Sequence, residues 1–429
     1  MTVTKNRAKE RAMLLRARSE TPPEVKERVS EIIKNVRSEG DNAVYRYSLL
    51  FDGVDIGGEP LRVPSAEIKT ALRGADPGLL RSMEVAIRRL GATQGSLMRR
   101  LKFSTALGGF SVDLSPVPLG SVGCYVPGGR ARYVSTVLMT AGLAKLAGVK
   151  RVVVCTPPGR DGKISDAILA AASLCDVEEV YRVGGAQAIA ALAYGTQTIP
   201  KVEKIVGPGG RYPAIAKSMV SADVDTDFFA GPTELVVVAD EGSDPALVAW
   251  DLIGQAEHGE ETVCGLVTLS SEVAERVRSE LEMIVPTVNR RGTVEGALRG
   301  GFAAICRDEA AAVEFVNALA PEHLEILTSK PESFAARVSG AGLKLLGPYS
   351  PCAATDYVVG TDHVIPTGGF ARRRGGLSVL DFLKLDWSVK GSRRGLRRLL
   401  RPLAYLAREE GFDNHYRSVE SRFVGEKKT

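Results

Sequence analysis

Histidine is scarce in this sequence, four residues in 429, and none stands alone. Gln255-Ala-Glu-His258, Glu322-His323, the stretch from Asp356 to His363 and the stretch from Glu410 to His415 each set an imidazole beside a carboxylate or carboxamide. Such groups can share a metal ion or a proton, so the four clusters read as one site assembled from distant parts of the chain. Cysteine is limited to six residues, widely spaced and without a Cys-x-x-Cys pair. That argues against a zinc ribbon or a disulfide framework and for reduced, buried thiols in a cytoplasmic protein. No run reaches about 18 apolar residues, and residues 1–20 contain no apolar signal core. Secretion and membrane spanning are therefore not expected. The dinucleotide fingerprint G-x-G-x-x-G, followed about 20 residues later by an acidic residue, is also missing.

What is present is an ordinary globular composition, 44% hydrophobic and 25% charged, in a chain long enough for two domains and a well-buried core. The net charge of +5 is concentrated late in the chain. There Arg393, Arg397 and Arg401 repeat along one helical face with leucines opposite. A nucleic-acid contact is conceivable for that stripe, but no aromatic interleaving accompanies it, and a solvated amphipathic helix explains it. No nucleic-acid or membrane partner is expected.

Residues 24–50 and 65–104 predict amphipathic helices, an N-terminal region (1–118) packing on the first domain. From 119 short apolar runs alternate with helices: SVGCYV, KRVVVCTPP, EEVYRVGG, VEKIVGPGG and TELVVVAD. A second series follows Asp240, with TVCGLVTL, GFAAIC, HLEILT and GLKLLG. The expected fold is α/β, with two Rossmann-like parallel-sheet domains at 119–240 and 241–377 and a helical C-terminal arm at 378–429.

Three strands of the first series run into glycine turns, VPGGRA (126–131), VGGAQA (183–188) and VGPGGR (206–211). Together at one sheet edge they suggest a nucleotide cleft, because glycine lets backbone N–H groups approach an anion or flat ring. In the second series, a helix through DLIGQAEHG puts Gln255 and His258 three residues apart on one face, able to grip one ion. Asp356 and His363 read as loop residues between Pro351 and Pro366. The adjacent Glu322 and His323 offer two bases of different intrinsic pKa, suited to successive proton transfers.

On CYVPGGRARYVSTVLM, RVGGAQAIAALAYGT, KIVGPGGRY, AGPTELVVVAD, DLIGQAEHG, APEHLE, TDHVIPTGG, LSVLDFLK and EEGFDNH, the chain resembles the histidinol dehydrogenases from about residue 25 to 425. The resemblance implies an NAD-dependent, zinc-containing enzyme that oxidises histidinol to histidine through the aldehyde, using two NAD per turnover. Zinc would be held by Gln255, His258, Asp356 and His415. Glu322 and His323 would be the proton acceptors. The zinc ligands and His323, with Thr233, His363 and Glu410, would hold the substrate, while Tyr125 and Gln187 would line the NAD site. The resemblance also implies a homodimer in which the C-terminal arm crosses to the partner.

Four positions depart from the family pattern. Gly210 stands where Asn is usual, Thr233 where Ser is usual, Cys352 where an acidic residue is usual, and Thr355 where Gly is usual. If that glycine served a positive φ, Thr355 would strain or move the Asp356 segment. One alternative is a relative that oxidises another alcohol, such as a sulfonated polyol, with NAD and without zinc; retention of all four ligands speaks against it. A thiohemiacetal on Cys124 or Cys155 has a basis in their position at strand ends, but no neighbouring base is evident to generate the thiolate.

Overall fold

The computed structural model describes residues 2–4, 7–17, 22–56, 60–128, 131–228 and 231–423. Gly129 and Arg130 of the first glycine turn, and Ala230 of AGPTE, lie outside them.

Every apolar run picked out above forms a strand. Ser121–Tyr125, Arg151–Thr156, Glu179–Arg182, Lys204–Val206 and the short Asp225–Thr226 make a five-stranded parallel sheet. Counted in chain order its strands lie 3-2-1-4-5, the doubly wound order. Glu234–Ala239, Val263–Thr268, Phe302–Cys306, His323–Ile326 and Leu343–Leu346 repeat the same 3-2-1-4-5 order in a second parallel sheet. Thr2–Val3 adds a sixth strand at its edge, paired with Ile305 and Cys306. Both sheets are buried on both faces, which is why their strands read as continuous apolar runs rather than alternating ones.

Sequence order groups Glu234–Ala239 with the first series and sets a boundary at 240, but this strand is the centre of the second sheet, between Val263–Thr268 and His323–Ile326. A strand buried along its whole length carries no mark of which sheet it joins. The N-terminal helices Pro23–Glu39 and Asp41–Asp52 bring Val29, Ile32, Val36, Val44 and Tyr47 into one core with Ile189 and Leu192 of the first sheet's helix Gly185–Tyr194. Residues 2–17 do otherwise: Val3, Ala8 and Ala12 join the second sheet's core.

By compactness the chain divides into two units, residues 1–95 with 119–382, and 96–118 with 383–429. The first holds both parallel sheets. The second contains an antiparallel sheet of Phe103–Leu107, Phe110–Pro118 and Leu383–Gly391, followed by helices Arg393–Glu409 and Asp413–Glu420. Helix was expected through 104, and a mainly helical chain after 378. The strands at 103–118 and 383–391 correct both expectations; Pro116, Pro118 and scattered charges hide their period-2 pattern. No helix among the described residues is long and apolar enough to cross a membrane.

Candidate active site

Glu322 and His323 sit where the chain enters the central strand His323–Ile326, opposite Leu235 at the start of Glu234–Ala239. Their chemistry therefore lies at the N-terminal edge of the second sheet. Ala320, two residues earlier, is held at φ +50, a left-handed conformation uncommon for a residue with a side chain. Arg16 fixes this corner: its guanidinium donates to the carbonyls of Leu319 and Ala320 and pairs with the buried carboxylate of Glu234. Glu234 in turn accepts the Glu322 and Gly368 backbone N–H groups at 3.2 and 2.9 Å.

The Glu322 carboxylate is nearly buried and accepts two hydrogen bonds on Oε2, from the Thr233 hydroxyl at 2.5 Å and the Glu234 N–H at 2.7 Å. Thr233 is itself an acceptor, for Gln255 Nε2 at 2.6 Å. A single hydroxyl thus orients a base on one side and a carboxamide on the other, and it turns Gln255 Oε1 towards Cys352 Sγ, 3.4 Å away. The helix Pro245–Ala256 ends just after Gln255, so His258 lies in the following turn, exposed, rather than on the same helical face as expected.

His323 is buried, with Nδ1 3.3 Å from the Glu234 carbonyl. A carbonyl only accepts, so in the neutral ring this contact assigns the proton to Nδ1 and leaves Nε2 to accept. Nε2 has no hydrogen-bond partner and lies 3.8 Å from Asp356 Oδ1. Burial alone would lower the His323 pKa; Cys352 and Glu322 act the other way, and the balance lies well above the ordinary imidazole value.

Asp356 is on the short helix Cys352–Tyr357, not in a loop. Thr355 has no positive φ there, and its hydroxyl donates to the Cys352 carbonyl at 2.7 Å, so the feared strain is absent. His363 is in irregular chain, as expected, with Nδ1 2.8 Å from the Asp356 carbonyl and Nε2 3.2 Å from Thr136 Oγ1. Burial lowers its pKa, with Asp356 partly opposing. Thr136, beside the π-turn Leu138–Gly142, is a contact that sequence reasoning missed; nothing in its spacing marks it.

His323, Cys352 and Asp356 bring one potential metal-binding atom each within 4.8 Å of one another. With Gln255 Oε1 beside Cys352, and with an unpartnered imidazole nitrogen, this donor set suits a borderline cation such as zinc. Of the other predicted ligands, His258 is not among these clustered atoms, and His415, with Glu410, belongs to the second unit. Glu410 caps the helix Arg393–Glu409, and the His415 ring lies 5.1 Å from that of Phe412; both residues are exposed.

The first sheet carries a second constellation. Its topological switch point lies between Ser121–Tyr125 and Lys204–Val206, where α/β sheets accept ligands. Gly207 has φ +118, and a Cβ there would lie 2.1 Å from the Tyr125 carbonyl, so only glycine fits. Its N–H donates to Asp227 at 2.7 Å, and Asp227 pairs with buried Lys217 at 2.5 Å, which pins the turn from below. The Tyr125 hydroxyl accepts the Gly185 N–H at 3.2 Å. A cavity of about 300 Å³ opens beside Gly185, lined also by Arg28, Ile32, Phe51, Ala186, Gln187 and Tyr212. Gln187 is fully buried, and neither atom of its carboxamide has a partner. An unpaired buried amide is costly, so it fits a ligand carrying its own donors and acceptors, as a dinucleotide does. Cys124 and Cys155 are wholly buried with thiol pKa values pushed upward by burial, which leaves no nucleophile for the thiohemiacetal alternative.

A buried carboxylate and a buried imidazole thus meet in a metal-capable cluster at the edge of the second sheet, while the first sheet, of the same doubly wound order, carries the cavity beside Gln187. The family described as histidinol dehydrogenase matches residues 15–423. Similar curated proteins include the histidinol dehydrogenases of Gluconobacter oxydans, 42% identical with 96% of each chain covered, and Bacillus subtilis, 41% identical with the same coverage. The crystal structure of histidinol dehydrogenase from Elizabethkingia anophelis superposes with a TM-score of 0.91 over 99% of this chain and 98% of that one, at 30% identity. The chain belongs to the histidinol dehydrogenase family and is an NAD-dependent oxidoreductase.

Proposed function

We propose that this chain carries out the four-electron oxidation of histidinol to histidine through the aldehyde, with two NAD, in the last steps of histidine biosynthesis. The observation that carries the reading is the bonded chain Gln255–Thr233–Glu322, set beside His323 and Asp356. His323 takes the hydroxyl proton on Nε2, with Nδ1 anchored to the Glu234 carbonyl. Glu322 then removes a proton from the water that attacks the aldehyde. Both of its hydrogen bonds fall on Oε2, so Oε1 is the oxygen left to do so. NAD, when bound beside Tyr125 and Gln187, would supply the hydride acceptor for both oxidations.

Gln255, His258, Asp356 and the partner's equivalent of His415 would hold zinc. When bound, the ion supplies positioning and polarisation of the substrate's amine and imidazole nitrogens. Thr233, His363 and the partner's equivalent of Glu410 contact the substrate, and Thr233 also fixes Gln255 and Glu322. Tyr125 and Gln187 line the NAD site, with the carboxamide of Gln187 pairing with the dinucleotide. We read the assembly as a cytoplasmic homodimer in which the 378–429 arms are exchanged.

The test is NADH production from histidinol by the purified protein, before and after chelation and after zinc is restored. Two NADH per histidinol, lost on chelation and regained with zinc, is the expected result. Turnover unaffected by complete metal removal would overturn the zinc assignment, and no turnover of histidinol in any form would overturn the substrate.

A further inference from the structure

Cys352 is buried at the meeting point of three groups the mechanism uses. Its Sγ lies 3.4 Å from Gln255 Oε1 and within 4.8 Å of the nearest ligand atoms of His323 and Asp356. Ligand distances of about 2.3 Å for sulfur and 2.1 Å for oxygen place neighbouring S and O ligands of one ion about 3.1 Å apart at a right angle and about 3.6 Å apart at the tetrahedral angle. The observed separation therefore fits two ligands of one ion. His323 Nε2, buried, unpartnered and 3.8 Å from Asp356 Oδ1, independently marks the adjoining space as one that takes a ligand.

We propose that the Cys352 thiolate is a direct ligand of the divalent ion in this chain, joining Gln255 Oε1 and Asp356 in one coordination sphere. The inference rests on the zinc site proposed above and adds a soft sulfur to a set otherwise of oxygen and nitrogen. Coordination replaces the S–H bond with a sulfur–metal bond, the proton leaving to solvent. The main chain already aims the side chain: the Cys352 N–H donates to Glu325 Oε1 at 2.5 Å, and its carbonyl receives the Thr355 hydroxyl. A thiolate shifts preference towards zinc and cobalt over manganese or magnesium, which favour oxygen ligands.

The experiment uses the full chain, stripped of metal and reloaded with Co(II). One cobalt per chain is expected, with an intense near-ultraviolet sulfur-to-cobalt charge-transfer band. Cys352→Ser and Cys352→Asp should keep the visible bands of bound cobalt and lose the near-ultraviolet one, while Cys124→Ser keeps both. Bound metal should also slow alkylation of Cys352 by iodoacetamide at least tenfold. Stoichiometric cobalt without the band, or with a band that survives in both Cys352 variants, overturns the sulfur ligand and leaves the zinc site standing, the thiol then merely donating to Gln255. Failure of the unmodified chain to bind cobalt overturns both.

Discussion

The Thr233 hydroxyl donates to Glu322 Oε2 at 2.5 Å while accepting from Gln255 Nε2 at 2.6 Å, so one side chain sets both a proton acceptor and a carboxamide facing the metal-capable cluster. Thr233→Ala removes a hydrogen bond to a charged group, which costs about 1.5–3 kcal/mol. We expect kcat to fall roughly 10- to 100-fold and zinc affinity to weaken as Gln255 loosens. Thr233→Ser should stay near the parent, and Thr233→Val should match Ala because the shape is kept and the hydroxyl lost. Steady-state kinetics with metal titration checks this; a Val variant as active as Ser would refute the bridge.

Glu322 and His323 should fail at different steps. Glu322→Gln should slow oxidation of the aldehyde more than that of the alcohol, and His323→Asn the reverse, measured with each substrate separately. The pH profile adds a second reading. His323 must be deprotonated to accept a proton, and its pKa lies above the ordinary value, so activity should be lost as pH falls through that raised pKa. Removing the Glu322 charge should move this acid limb to lower pH. Equal losses in both half-reactions, with an unmoved limb, would contradict the division of labour.

Gly210 begins the helix Arg211–Val220 with φ −63, and a Cβ placed there meets nothing within 4 Å. Gly210→Asn, the residue usual in the family, is therefore free of strain and restores a carboxamide at the dinucleotide side. A recovered hydrogen bond of about 1 kcal/mol corresponds to roughly fivefold tighter NAD binding, readable by calorimetry. Unchanged affinity would mean that this edge of the sheet does not face the dinucleotide.

Behind Cys352, Glu325 is buried against Asp251; burial first, then the Asp251 charge, pushes its pKa up to about 8. A carboxyl whose folded pKa exceeds its unfolded value of about 4.3 supports the fold while protonated. That support is complete below the unfolded pKa and is lost as pH rises through about 8. Thermal stability of the parent should therefore decline between pH 5 and pH 9. Glu325→Gln, which keeps the acceptor for the Cys352 N–H, should flatten that decline. Parallel melting curves for the two proteins across the range would show that Glu325 is not the group responsible.

How much of this is legible in the sequence depends on burial. Both parallel sheets announce themselves because strands such as LVVVA are apolar throughout, and Glu322-His323 stands out because adjacent bases are chemically unusual. The antiparallel sheet does not, since Phe110–Pro118 is half-buried, Leu383–Gly391 is exposed almost throughout, and proline and charge interrupt them. Thr2–Val3 is too short to show a period. At the site, the bridging role of Thr233 and the contact from Thr136 depend on residues distant in the chain, and no local pattern encodes them. Cys352 reads in sequence only as a departure from the family; the fold sets it beside His323 and Asp356.

The last prediction concerns the arm. The second unit leaves Trp387, Val389, Tyr405, Leu406 and Phe412 each more than half exposed, an amount of apolar surface that a solitary sheet-and-helix arm does not keep in water. His415 and Glu410 lie on the same arm. If the arms are exchanged in a homodimer, each site takes Glu322 from one chain and His415 from the other. Mixing an inactive His415→Ala chain with an inactive Glu322→Gln chain, after denaturation and refolding together, should then restore activity. One of the two sites in a mixed dimer would contain both intact groups, so about a quarter of parental activity is expected from random pairing. Mixed dimers that form, as shown by differential tagging, yet stay as inactive as either parent would place both groups in one chain and end the exchanged-arm reading.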